Sequence, residues 1–232
     1  MNVLSVEYPG YGIYQGEANA KTIIEDAEII FDFLTYEMLV EPENIYLFGR
    51  SIGSGPATYL AANRNPGLLV LMSPYTSIRE VVRFLVGSWA QYLVAERFRN
   101  IDEITKVVCP CFFLHGKKDK LIPDSHSIDL FAKCKGVAGI NLSVDMTHNE
   151  FSMSNDIIKP LKKFLGQIGH QSVSKFYKFP KYVLQRNDQS RKPKLRENKR
   201  SKTSARENQE NMQPLPLKTE RPLFLKSKTV FQ

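Results

Sequence analysis

The stretch Asn44-Ile45-Tyr46-Leu47-Phe48-Gly49-Arg50-Ser51-Ile52-Gly53-Ser54-Gly55-Pro56-Ala57 decides how the chain is read. An apolar run enters it, a serine stands two residues from a glycine on either side, and Pro56 suits the first turn of a following helix. A serine used only in a turn has no need of small neighbours. A serine whose hydroxyl must stand exposed on a tight strand-to-helix bend does, because bulk at Gly49 or Gly53 is expected to collide with the adjoining strand or helix. Gly55 is expected to bring that helix close to the sheet. The competing use of Ser51 is as the N-cap of the helix that follows.

Outward from this point, apolar runs alternate with helical patterns. Strands are expected over residues 3–7, 45–48, 68–72, 111–115 and 140–144. Between the first two, Ile23, Ala27, Ile30, Phe31 and Leu34 recur at helical spacing, which predicts a helix over residues 20–39. Further helices are expected over 54–63, 123–133 and 155–165, the last kinked or started late by Pro160. Strands that alternate with helices predict an α/β fold, a mostly parallel sheet covered on both faces. Residues 77–108 break the alternation. Val81, Val82, Phe84, Leu85, Val86, Trp89, Tyr92, Leu93 and Val94 suit either a buried core helix or a cap over an apolar pocket.

Charge divides the chain of 232 residues. Residues 166–232 hold 16 Lys+Arg against 5 Asp+Glu, which leaves 16 against 19 in residues 1–165. The pattern predicts a domain over 1–165 and a basic tail over 166–232, disordered from about residue 186. Interleaved Lys175, Phe176, Tyr177, Lys178, Phe179, Lys181 and Tyr182 suit an anionic membrane surface better than nucleic acid, with a solvated extension as the third use. The first residues have neither the basic leader nor the apolar core of a signal peptide. Cys109, Cys111 and Cys134 form no disulfide framework and no metal-ligand spacing. A cytoplasmic protein, peripheral at membranes, is expected, with no cofactor and no metal.

A serine nucleophile needs a base, and the base an orienting carboxylate. His148 follows the last expected strand, on a loop at the carboxyl end of the sheet, where parallel sheets place functional groups. His115 is expected to serve structure, His126 to lie on a helix surface and His170 in the tail. Asp119 lies in the loop after residues 111–115, with Asp124 and Asp145 as the other candidates. The order Ser51, Asp119, His148 is that of a nucleophile elbow followed by its acid and base.

These pieces resemble a known family. Tyr8-Pro9-Gly10-Tyr11-Gly12, the block over residues 42–57, Ser73-Pro74-Tyr75-Thr76-Ser77, the segment over residues 115–123 and His148-Asn149 are similar to the α/β-hydrolase superfamily over residues 3–165. Within it they resemble the α/β-hydrolase domain-containing protein 17 group of protein depalmitoylases, and serine-aminopeptidase-like relatives. The resemblance implies a serine hydrolase with Ser51 as nucleophile, Asp119 as acid, His148 as base and the Ile52 amide as one oxyanion donor. It implies as substrate an acylated small molecule or an S-acylated protein. A peptidase with the same triad and a non-catalytic binding module are the alternatives. Against the family pattern the chain opens at about the fourth strand. The first three strands and the second oxyanion donor are therefore expected to be missing, unless Tyr8 or a backbone group near Gly10 replaces that donor. Residues 3–7 and 45–48 are then expected to pair directly or to leave open edges.

Overall fold

A computed structural model of the chain describes residues 2–170 and 225–227. In chain order the elements are β1 (Leu4–Val6), α1 (Ala20–Asp32), β2 (Tyr46–Arg50), α2 (Ser54–Arg64), β3 (Leu68–Met72), α3 (Ile78–Val86), α4 (Asn100–Glu103), β4 (Cys111–Gly116), α5 (Ser125–Lys133), β5 (Ala138–Ser143), α6 (Lys159–Gln167) and β6 (Leu225–Ser227). Strands β2, β3, β4 and β5 form a parallel sheet in that order. β3 and β4 are buried along their whole length, as expected of near-continuous apolar strands in the middle of a parallel sheet.

The strand period of two sorts the core. Leu69, Leu71, Cys111 and Phe113 point to one face, where Ala57 and Ala61 of α2, Ile104, Val107 and Leu130 of α5 close over them. Leu68, Val70, Met72, Phe112 and Leu114 point to the other, against Met146, Ile157 and Phe164 of α6. A third cluster joins Ala27 and Phe31 of α1 to Val40, Ile45 and Leu60. Each cluster fixes a helix at a set height on the sheet, which places the loops at the carboxyl ends of the strands.

Several local expectations are met with adjusted ends. Asn19 caps α1 by accepting a hydrogen bond from the Thr22 amide at 2.9 Å. The α-helix ends at Asp32 and passes into a π-helical turn over Phe33–Glu37, before Leu39 adopts a left-handed φ of 52°. Pro160 sits in the first turn of α6, after a π-helical turn over Met153–Ile158. The late start is thus the outcome at Pro160, which lacks the N–H of a helix interior.

Three differences matter more. β1 does not join β2. It pairs antiparallel with β6, Leu4 opposite Ser227, and β2 forms one margin of the four-stranded sheet with Phe48 55% exposed. Segment 77–108 is not a core helix, since no residue of α3 is fully buried, and Phe84, Leu85, Val86, Trp89, Tyr92 and Leu93 are exposed. His170, read as tail, packs edge-to-face on Tyr46 and hydrogen-bonds its hydroxyl. The disorder and the basic–aromatic stretch expected after residue 170 lie outside the described residues, β6 excepted.

Candidate active site

Ser51 leaves β2 with φ 51°, a left-handed conformation that costs a non-glycine residue of order 1–3 kcal/mol. One 3-10 turn over Ser51–Gly53 then leads directly into α2. The bend needs a glycine at 49. A β-carbon there would stand 2.7 Å from the Ala57 side chain and 2.9 Å from the Ser54 backbone. At Gly53 the outcome differs from expectation. A β-carbon on Gly53 would meet no strand or helix, only the Tyr8 hydroxyl at 3.4 Å. Gly55 makes room for the Phe98 ring, 2.5 Å from its would-be β-carbon.

The loops after β4 and β5 bring the expected partners to this bend. His148 Nε2 lies 3.0 Å from Ser51 Oγ, and His148 Nδ1 lies 2.7 Å from Asp119 Oδ2. Asp119 is buried, and its Oδ1 accepts from the Leu121 and Ile122 amides, each at 2.9 Å. Burial pushes its pKa upward. Bonds from His115, the Ile122 amide, His148 and the Leu121 amide outweigh that and hold the carboxyl far below the usual range. An ionised carboxylate only accepts, so Nδ1 of His148 carries the proton, and in the neutral ring Nε2 is free to accept from the Ser51 hydroxyl. The other two carboxylates stand elsewhere. Asp145 is exposed and paired with Lys118 at 2.6 Å, and Asp124 begins α5.

Of two further histidines, His115 serves structure as expected, and His126 has a role that its sequence position hid. His115 is fully buried, with Nε2 2.8 Å from the Ile122 carbonyl and 3.5 Å from Asp119 Oδ2. A carbonyl accepts, so Nε2 donates, and Nδ1 accepts from the Ser127 hydroxyl at 2.7 Å. The ring therefore ties the Asp119 loop to β4 and α5. His126, expected on a surface, is buried, and its Nδ1 accepts from the Thr76 amide at 3.2 Å. The helical pattern carried no signal for this, because the buried side of α5 is itself polar at His126 and Ser127.

The same bonds make the fold acid-sensitive. Asp119 has a folded pKa below its unfolded value of about 3.9, so its stabilisation is present above that pH and is lost as pH falls toward the folded value. Burial, and after it the neighbouring His115, lower the pKa of His126, so its contribution fades as pH falls below about 6.5. Urea midpoints should therefore decline from pH 7 to pH 3. Asp119→Asn should begin lower at pH 7, and its gap to wild type should narrow below about pH 4. A gap that widens on acidification would contradict the assignment.

Around the bend, Tyr75 is almost fully buried and donates its hydroxyl to the Ile52 carbonyl at 3.3 Å. The Ile52 side chain is 44% exposed beside it. Ile52 lies at the entry to α2, where backbone N–H groups lack intrahelical partners and can face an anion.

No family model matches the chain. Its sequence is 30% identical over 166 residues to human alpha/beta hydrolase domain-containing protein 17B, an alignment that takes in 72% of this chain. The chain spans 57% of that relative's length. Among solved structures, an esterase from Pyrococcus furiosus matches with a TM-score of 0.54 at 16% identity, over 69% of this chain and 68% of the esterase. Est1E from Butyrivibrio proteoclasticus also gives 0.54, at 19% identity, over 67% of this chain and 73% of its own. By sequence the chain is similar to curated proteins named alpha/beta hydrolase domain-containing protein 17B and 17C, and its mostly parallel sheet with helices is the fold of α/β esterases.

Proposed function

We propose that the chain is a serine hydrolase that cleaves an acyl ester or thioester. The observation that carries this is the unbroken line from Ser51 Oγ through both nitrogens of His148 to Asp119, at 3.0 and 2.7 Å. His148 Nε2 takes the Ser51 proton as Oγ bonds to the acyl carbon, and the carbonyl electron pair moves to oxygen. Collapse expels the alcohol or thiol, which takes that proton from His148. Water then repeats the two steps on the acyl-enzyme and frees the acid. Asp119 holds the ring and stabilises its cation.

We assign the first donation to the developing oxyanion to the Ile52 amide, at the entry to α2. We assign the second donation to the Tyr8 hydroxyl, which reaches the elbow beside Gly53. Loss of one such donor costs ~10²–10³ in turnover. Tyr8→Phe should lower kcat by about 10²-fold with KM nearly unchanged; an unaltered kcat would remove Tyr8 from the oxyanion site.

The substrate is read from the rim. Ser77, which caps α3, follows Tyr75 by two residues, so α3 starts beside the elbow and carries exposed Phe84, Leu85 and Val86 outward. Apolar surface at this place suits a long acyl group. An S-acyl cysteine thioester, the substrate implied by resemblance to the 17 group, is the specific form proposed. Purified protein should hydrolyse p-nitrophenyl esters faster as the acyl chain lengthens, and should release acid from an S-palmitoylated peptide. Cleavage of peptide anilides with no ester or thioester turnover would move the reading to a peptidase.

A further inference from the structure

Arg50 is the last residue of β2 and stands immediately before Ser51. Its Nη2 donates to the His148 carbonyl at 2.7 Å and to Asn149 Oδ1 at 2.8 Å. The guanidinium carbon lies 5.8 Å from the centre of the Phe151 ring. One side chain thus reaches three residues of the 148–151 segment from the strand that carries the serine. It does so across the carboxyl ends of β3 and β4, since β2 and β5 are at opposite margins of the sheet.

Between Met146, in the cluster of Leu68, Phe112 and Phe164, and Phe151, which packs against it, the turn is otherwise held mostly by itself. The Thr147 amide donates to the Glu150 carbonyl, and the Glu150 amide to Thr147 Oγ1, each at 2.9 Å. Met146 anchors its base, buried and joined by its carbonyl to the Lys118 amide at 3.1 Å. Asn149 and Glu150 face solvent. The ring bonds of His148 fix the tip of its side chain but leave the backbone beneath it free to shift. The two N–H groups of Nη2 meet two acceptors at once, and the planar guanidinium is already rigid when they do so. Displacement of a reacting group by about 1 Å can cost ~10²-fold in rate.

We propose that Arg50 is a positioning residue that clamps the turn bearing the base to the strand bearing the nucleophile, so that Ser51 and His148 move as one unit. This rests on the hydrolase reading above, and touches substrate nowhere.

The test compares wild type with Arg50→Met, which keeps the stem and removes the charged donors, and with Arg50→Lys, which restores a charged nitrogen without the planar guanidinium. Arg50→Met should lower kcat on a short p-nitrophenyl ester by about 30- to 100-fold with KM within twofold, in keeping with a positional loss. Arg50→Lys should recover part of it. Hydrogen exchange should quicken by about 10-fold in residues 146–151 of Arg50→Met and stay unchanged in β3 and β4. A loss that falls wholly on KM, or unchanged kcat and exchange, overturns the clamp. If wild type turns over no ester, the hydrolase reading falls and the exchange comparison alone decides the clamp. If Arg50→Met exchanges throughout β3 and β4, it has not folded, and Arg50→Lys with Asn149→Ala decides by the same two measurements.

Discussion

His148→Ala should abolish turnover of an activated ester, with kcat lower by about 10⁶-fold or to background, while the protein stays folded. The imidazole is asked to take a proton and return it in each half of the reaction, and among the described residues no second base hydrogen-bonds to Ser51. His115 and His126 are buried, with ring nitrogens engaged by Ile122, Ser127 and Thr76. The side chain of His148 belongs to none of the three apolar clusters, so its loss should lower the urea midpoint only by what its one bond to Asp119 contributes. Steady-state kinetics beside an unfolding curve check both halves. Residual activity above about 1% would mean that another group serves as base.

Asp119→Asn should cost about 10⁴-fold in kcat and should destabilise the fold at neutral pH more than His148→Ala does. The kinetic loss follows from the tautomer. An amide side chain can offer its NH₂ to Nδ1 of His148, which places the ring proton on Nε2, facing Ser51. The stability loss follows from the four groups that converge on this carboxylate: the Leu121 and Ile122 amides, His148 and, at longer range, His115. An asparagine leaves buried donors unpaired or badly paired, a cost of about 1–3 kcal/mol for each such group. Kinetics and urea denaturation of one purified variant measure the two effects separately. A variant with lost activity and unchanged stability would limit Asp119 to the chemistry.

The distribution of what the chain disclosed has a physical pattern. Ser51 was legible because its constraint is local: the strand, the bend and the start of α2 are contiguous, and Gly49 is required by atoms within eight residues of it. β3 and β4 were legible because strands buried on both faces must be apolar throughout. Asp119 and His148 could be named because each ends a strand in a loop on the functional side of the sheet. What stayed hidden depends on partners remote in sequence. Arg50 meets His148 across 98 positions, and His126 meets Thr76 across 50. β1 finds β6 with three residues in each strand, too short for any period to register. Segment 77–108 shows the limit of apolar pattern itself, for a helix rich in Val, Phe and Leu reads alike whether its surface meets a core or lies open at a rim.

The central claim is that the Ser51 hydroxyl is an activated nucleophile. It is tested most directly by treating folded protein with a fluorophosphonate and mapping the adduct by peptide mass spectrometry. The account predicts one stoichiometric adduct on Ser51, with labelling lost in His148→Ala. No adduct, or an adduct on another residue with Ser51 unmodified, would contradict it.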